Sequence, residues 1–151
     1  MIRLAGRIEI AAPPEQVFDF LAILENAALW QSGVFAVHLI TDPPLRVGSR
    51  FQESFALKPL RFNAVCEMTS MERPQAFAFR TVGSGPLSYE GVFKLLPTDS
   101  GTSLSYATSA SLRGYLRVLE PLMRREAQRE SEAELERIRQ AVESAPRLAS
   151  P

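Results

Sequence analysis

Few side chains in this 151-residue sequence combine the type and the setting that chemistry needs. Glu53 comes first. It lies in Phe51-Gln52-Glu53-Ser54-Phe55-Ala56-Leu57, where strand alternation puts it on the face of Phe51, Phe55 and Leu57. An unpaired carboxylate among those side chains would be destabilising. Tyr89, Tyr106 or His38 could satisfy it, or a β-bulge could rotate it outward. Facing inward, it would hold its proton more tightly than an exposed glutamate and become a candidate general acid or base. His38 is the only histidine, so any imidazole chemistry must use it. Its surroundings, Val34–Ile40, are apolar on both parities, which leaves its facing open. Tyr89 and Tyr106 lie on apolar strand faces and could orient a substrate carbonyl while Glu53 or His38 moves protons.

Other chemistries lack their residues. No second histidine is present for a metal site, and the carboxylates do not cluster at ligand spacing, so neither a metal nor another cofactor is expected. There is no Gly-x-Ser-x-Gly nucleophile elbow. Gly83-Ser84-Gly85 is too short for a phosphate loop and reads as a turn. Cys66 is alone, which excludes an intrachain disulfide, and without a basic neighbour it reads as core filling. Arg124, Arg125 and Arg129 alternate with glutamates, the pattern of a solvated face. A formal net charge of zero gives no electrostatic case for nucleic acid or an anionic membrane. No stretch approaches the about 18 apolar residues of a membrane span, and the start does not resemble a signal peptide. The expectation is a reduced, cytoplasmic, soluble domain.

The elements that must position these residues can be read from periodicity. Tyr115–Glu143 reads as one long C-terminal helix. Its stripe is Leu116, Leu119, Met123, Ala127, Ser131, Leu135, Ile138 and Val142, separated by steps of 3 or 4. The stripe is bulky at both ends and small at Ala127 and Ser131. Around it run Arg and Glu at pair spacing, Glu120–Arg124, Glu126–Arg129 and Glu134–Arg137. Pro121 either sits in the first turn of the true helix or kinks a longer one. Before it, residues 2–11 read as a strand, Pro13-Pro14 opens a helix through Leu24, and Ala27–Trp30 makes a second short helical turn. Trp30 would staple that turn to the sheet. Strands follow over Val34–Thr41, Ser49–Leu57, Leu60–Met71, Ala76–Val82, Leu87–Leu96 and Thr102–Leu112, with Pro97–Gly101 as the clearest hairpin connection. Hairpin-length links imply an antiparallel sheet, and one long helix must cover a face of it, an α+β architecture. One domain over residues 1–145 is expected, with a flexible tail over 146–151.

Ile8-Glu9-Ile10-Ala11-Ala12-Pro13-Pro14-Glu15-Gln16-Val17-Phe18-Asp19-Phe20-Leu21, followed by Trp30, resembles the opening of the START-like superfamily (SRPBCC). Its members include the Bet v 1-like proteins and the bacterial polyketide cyclase/dehydrase-like group. The likeness continues at Leu45-Arg46-Val47-Gly48, Glu72-Arg73-Pro74 and Gly101-Thr102-Ser103-Leu104, and ends with Pro121 and the terminal helix. It implies a helix-grip fold, in which a seven-stranded antiparallel sheet wraps round the C-terminal helix and leaves a cavity between them. Members bind lipids, sterols, polyketides or other apolar molecules, and some are enzymes.

Strand parity then nominates the lining. Phe51, Glu53, Phe55 and Leu57 share one face, followed by Phe62, Ala64, Cys66 and Met68, and by Phe77, Phe79 and Thr81. Leu87, Tyr89, Phe93 and Leu95 come next, then Leu104, Tyr106 and Thr108, with Leu119, Met123 and Ala127 from the helix. Three functions compete. The first is binding of a small hydrophobic molecule such as a lipid, polyketide or aromatic metabolite, by a monomer or homodimer. The second is a cyclase or dehydratase working in the same cavity. The third is a protein-interaction module, for which a solid core and an exposed apolar patch would be the cues.

Overall fold

In the computed structural model the described residues are 1–57 and 60–145. The seven strands are β1 (Ile2–Ile10), β2 (Val34–Leu39), β3 (Arg50–Leu57), β4 (Leu60–Glu72), β5 (Ala76–Thr81), β6 (Leu87–Thr98) and β7 (Gly101–Leu112). They form one antiparallel sheet in the order β1-β7-β6-β5-β4-β3-β2. Every link from β2 to β7 joins neighbours, so the sheet is a meander whose first strand closes onto its last. Two helices, α1 (Pro14–Ala22) and α2 (Ala27–Trp30), fill the passage from β1 to β2, and α3 (Glu120–Ser144) follows β7. This is the helix-grip arrangement. The link at Lys58-Pro59 and the expected tail over 146–151 lie outside the described residues.

Inward and outward faces follow the expected parity. Ile10, Phe51, Phe55, Ala64, Cys66, Met68, Phe77, Phe93, Leu95 and Leu104 are all buried on the concave side. Pro14 opens α1 because its fixed φ suits a first turn, and Val17, Phe18 and Leu21 then bury one face. Phe18 meets Phe77 edge-on at 5.7 Å, tying α1 to the sheet. A one-turn 3₁₀ segment, Leu24–Asn26, separates α1 from α2, and Asn26 Nδ2 donates to the Phe20 carbonyl across that break.

The long helix starts later than its stripe suggests. Gly114–Leu119 is a 3₁₀ segment, and α3 begins at Glu120 with Pro121 in its first turn. Pro121 has no N–H to lose there, so there is no kink to explain. Leu135, Ile138 and Val142 bury the C-terminal half against the sheet, each contributing about 1.5–3 kcal/mol. Gly6 on β1 permits this approach: a Cβ there would sit 3.0 Å from Leu135 Cδ1 and 2.8 Å from Tyr106 Cε1. Glu143 accepts from the Ala11 amide, and Val142 O accepts from Gln16 Nε2, which anchors the last turn of α3 to the start of α1.

The ion pairs along α3 follow the sequence in part. Arg124–Glu120 and Arg129–Glu126 form at 3.7 and 2.9 Å. Arg137 does not pair with Glu134. It lies 3.8 Å from Glu130, and its Nε and Nη2 donate to Trp30 O and Ser32 Oγ.

Candidate ligand cavity

The N-terminal half of α3 stands away from the sheet. Behind it lies a cavity of about 560 Å³. Phe55, Phe62, Phe79, Tyr89, Phe93 and Tyr106 form its aromatic wall, with Met123 and Ala127 on the helix side. Register explains the wall. Phe55 opposes Phe62, and Phe93 opposes both Phe77 and Tyr106, so side chains from several strands meet on one face. Phe55 stacks on Phe62 at 5.5 Å, Phe77 on Phe93 at 4.9 Å and Phe93 on Tyr106 at 6.0 Å. Gly91 lies opposite Phe79, and a Cβ there would sit 2.9 Å from Phe79 Cζ. With glycine in that place, the Phe79 ring can lie flat over the strand. Trp30, Gln31, Ser32 and Gly33 contribute the rim between α2 and β2.

Deeper in lies a smaller chamber of about 40 Å³, and Phe51, Glu53 and Phe77 belong to it. Trp30, Phe79 and Phe93 border both spaces and form the partition. Trp30 is held edge-on to Phe93 at 5.9 Å. Glu53 faces inward with 4% of its surface exposed, opposite Val37 on β2 and Ala64 on β4. The bulges fall elsewhere, between Val34 and Ala36 and between Met68 and Ser70, so none turns Glu53 out. Burial pushes its carboxyl up to about 7, offset in part by the Tyr89 hydroxyl beside it. Among the described residues its Oε2 has no hydrogen-bond partner. Cys66 Sγ donates to Tyr89 Oη at 3.2 Å, which makes Glu53, Tyr89 and Cys66 one buried polar cluster. Burial, and then the Glu53 charge, push the Cys66 thiol up to about 12. The same two causes hold the Tyr89 phenol well above its ordinary range. Cys66 is therefore a protonated packing residue, whereas Glu53 can change charge near neutral pH.

Several expected positions lie elsewhere: Ala64, Cys66, Leu95 and Leu104 are solid core, and Thr81 lines neither space. His38 is exposed on β2, opposite Gln52, one residue out of phase with the inward Val37–Glu53 pair, so it reaches neither space. Leu119 packs against the core from the end of the 3₁₀ segment and lines neither space. Of the small-residue waist, Ala127 lines the cavity but Ser131 does not. The Ser131 hydroxyl donates to Gln128 O within its own helix.

The sequence reading also passed over a set of residues. Glu126, Glu130 and Glu134 line the cavity on α3. Their steps of 4 run beside the stripe Met123, Ala127 and Ser131, each three residues further on, which was the available signal. Burial raises the Glu134 carboxyl to about 7, against the opposing pull of Arg137 and of the Ser32 amide and hydroxyl. Tyr106 in turn has its phenol proton held more tightly, by burial and then by the Glu134 charge.

Residues 1–143 match the family described as polyketide cyclase / dehydrase and lipid transport, and the chain belongs to it. Among solved structures, an aromatase/cyclase called Zhui, from Streptomyces sp. R1128, superposes with a TM-score of 0.77 at 15% identity, covering 98% of this chain and 97% of that one. TTHA0849 from Thermus thermophilus gives 0.72 at 21% identity, covering 93% and 95%. Ara h 8.0201 gives 0.68 at 10%, covering 95% and 98%. At these identities the likeness is one of fold. A search of curated proteins finds no match. Among the described residues no helix is long and apolar enough to cross a membrane.

Proposed function

We propose that this protein binds a small, largely apolar molecule in the space between its sheet and the N-terminal half of α3. The observation that carries this reading is the cavity itself: about 560 Å³, walled by aromatic rings. That volume falls in the range of small-molecule sites, which are mostly apolar with a few placed polar groups. It also argues against a solid core of the kind an interaction module would have. Family membership supports the same reading, since the family description includes lipid transport. The test is native mass spectrometry of freshly purified protein, which should show a non-covalent apolar adduct. Ala127→Phe should remove that adduct, because Ala127 lines the cavity from the helix side. Protein without an adduct, which also takes up no apolar probe, would sink the proposal.

A cyclase or dehydratase activity is the second reading, and one observation favours it. Glu53 is poised to exchange a proton near neutral pH, and Tyr89, which borders the main cavity, stands beside it. It ranks second because Glu53 belongs to the inner chamber, so proton transfer to a ligand in the main cavity would have to pass through the Tyr89 hydroxyl. Turnover of a polyketide-like ketone that Glu53→Gln abolishes, with binding retained, would reverse the ranking.

A further inference from the structure

The charged side chains lining the ligand space are all acidic. Glu126, Glu130 and Glu134 line the main cavity, and among the described residues lining it there is no Lys, Arg or His. Two of the three already have cations. Arg129 lies 2.9 Å from Glu126, and Arg137 lies 3.8 Å from Glu130. Arg137 is further committed to Trp30 O and Ser32 Oγ, behind the rim. Among the described residues Glu134 has no cation at salt-bridge distance. A second, independent observation comes from the inner chamber, where Glu53 presents an oxygen with no partner from a side chain only 4% exposed. The ligand-sized cavity and the small chamber beside it thus each hold a carboxylate with no cation at salt-bridge distance among the described residues.

Resting on the cavity reading above, the geometry points to a ligand whose polar end is a hydrogen-bond donor, a lipophilic amine in preference to a carboxylic acid or other anion, with its ammonium group against Glu134. A bound carboxylate would lose its water and find no cation in the lining, only the Glu carboxylates, the Tyr phenols and the neutral Gln31, Ser32 and Thr108 side chains. A bound ammonium would donate a charge-assisted hydrogen bond to a carboxylate whose neighbouring cation, Arg137, is beyond salt-bridge distance and engaged with Glu130, Trp30 O and Ser32 Oγ. A neutral alcohol can donate to the same oxygen without the charge term and falls between the two. Glu134 is thereby the residue that sets specificity, and the aromatic wall supplies most of the affinity.

Trp30 is the only tryptophan and borders the cavity, so its emission reports occupancy. The protein is titrated near neutral pH and low salt with decylamine, decanol and decanoic acid. The amine should bind about tenfold more tightly than the acid, with the alcohol between them, a ratio within reach of one partly desolvated charge pair. Glu134→Gln should bring the amine down to the affinity of the alcohol, and Glu134→Lys should make decanoic acid the tighter ligand. Glu132→Gln, an exposed position on the same helix, should leave the ranking as it was. Decanoic acid binding as tightly as the amine overturns the inference, as does a ranking that survives Glu134→Gln. If decanol binds without any ranking by charge, this inference alone fails. If none of the three binds, the cavity reading fails with it.

Discussion

Glu53→Gln should flatten part of the protein's pH–stability profile, and the sign and size follow from where Glu53 sits. Burial raises its carboxyl from an ordinary 4.5 to about 7. Below about pH 4.5 the folded and unfolded chains both hold the proton. As pH rises from there, the unfolded chain releases it while the folded chain keeps it, so stability falls. The decline levels off above about 7, where the folded chain has released it too. Each tenfold change in proton affinity is worth about 1.4 kcal/mol, so the whole window costs about 3 kcal/mol. A glutamine side chain has nearly the same shape and no charge to bury. Relative to the variant, the wild type should therefore lose about 3 kcal/mol between about pH 4.5 and pH 8. For a chain of this length that is about 6–12 °C in Tm. Glu134 titrates in the same window with the same sign, but it is present in both proteins and cancels in the difference. Cys66 and Tyr89 titrate far above it. The assay is urea unfolding followed by Trp30 emission at a series of pH values. Stability curves that stay parallel from pH 4.5 to 8 would mean that Glu53 is solvated, and its place in the inner chamber would be wrong.

Other perturbations separate packing from cavity. Ala127→Phe should hold or raise the unfolding midpoint, because it adds contacts where none are packed, while probe uptake reported by Trp30 disappears; normal uptake would place the ligand elsewhere. Gly6→Ala puts a methyl 2.8 Å from Tyr106 Cε1 and 3.0 Å from Leu135 Cδ1. Both neighbours are side-chain ends that can shift, so the expected loss is about 1–3 kcal/mol by urea unfolding, with weaker binding as Tyr106 is displaced. Ile138→Ala truncates a residue with 0% exposure where α3 clamps the sheet, and calorimetry should show a loss of about 2–5 kcal/mol. A change below about 1 kcal/mol would mean that α3 is not held by that half.

What was legible in the sequence was whatever a period could encode. Alternation in β3 through β7 placed Phe55, Phe62, Phe79, Tyr89, Phe93 and Tyr106 on one face, because a strand with one wet side admits one register. The facing of β2 was not legible. Phe35 on this edge strand, and Ile40 just past its end, are about half exposed while Val34 and Val37 are buried, so the apolar run has no single facing and His38 carries no parity signal. The start of α3 was hidden because Leu116 and Leu119 continue the helical stripe through a segment that winds as 3₁₀. Glu134 was hidden for a different reason. On a helix rich in Arg and Glu, a carboxylate at pair spacing reads as solvated, and the outcome depends on how far the helix is rotated about its axis. Here the rotation carries Glu126, Glu130 and Glu134 to the cavity rim and leaves Ser131 bonded to its own helix.

That rotation also bears on why the cavity exists. The two halves of α3 treat the same sheet differently. Leu135, Ile138 and Val142 close against it, while Met123 and Ala127 stop short of Phe62 and Tyr106 and leave the space between them open. An unfilled apolar space forfeits dispersion contacts along its whole lining, so the open half makes the fold less stable than a leucine in place of Ala127 would. Aromatic rings on the strands opposite an alanine on the helix are thus a poor solution for stability and a workable one for a ligand. A bound molecule returns the missing contacts. At a concentration one hundred times its Kd it would stabilise the folded state by about 2.7 kcal/mol, comparable to the burial of one of the three clamping side chains.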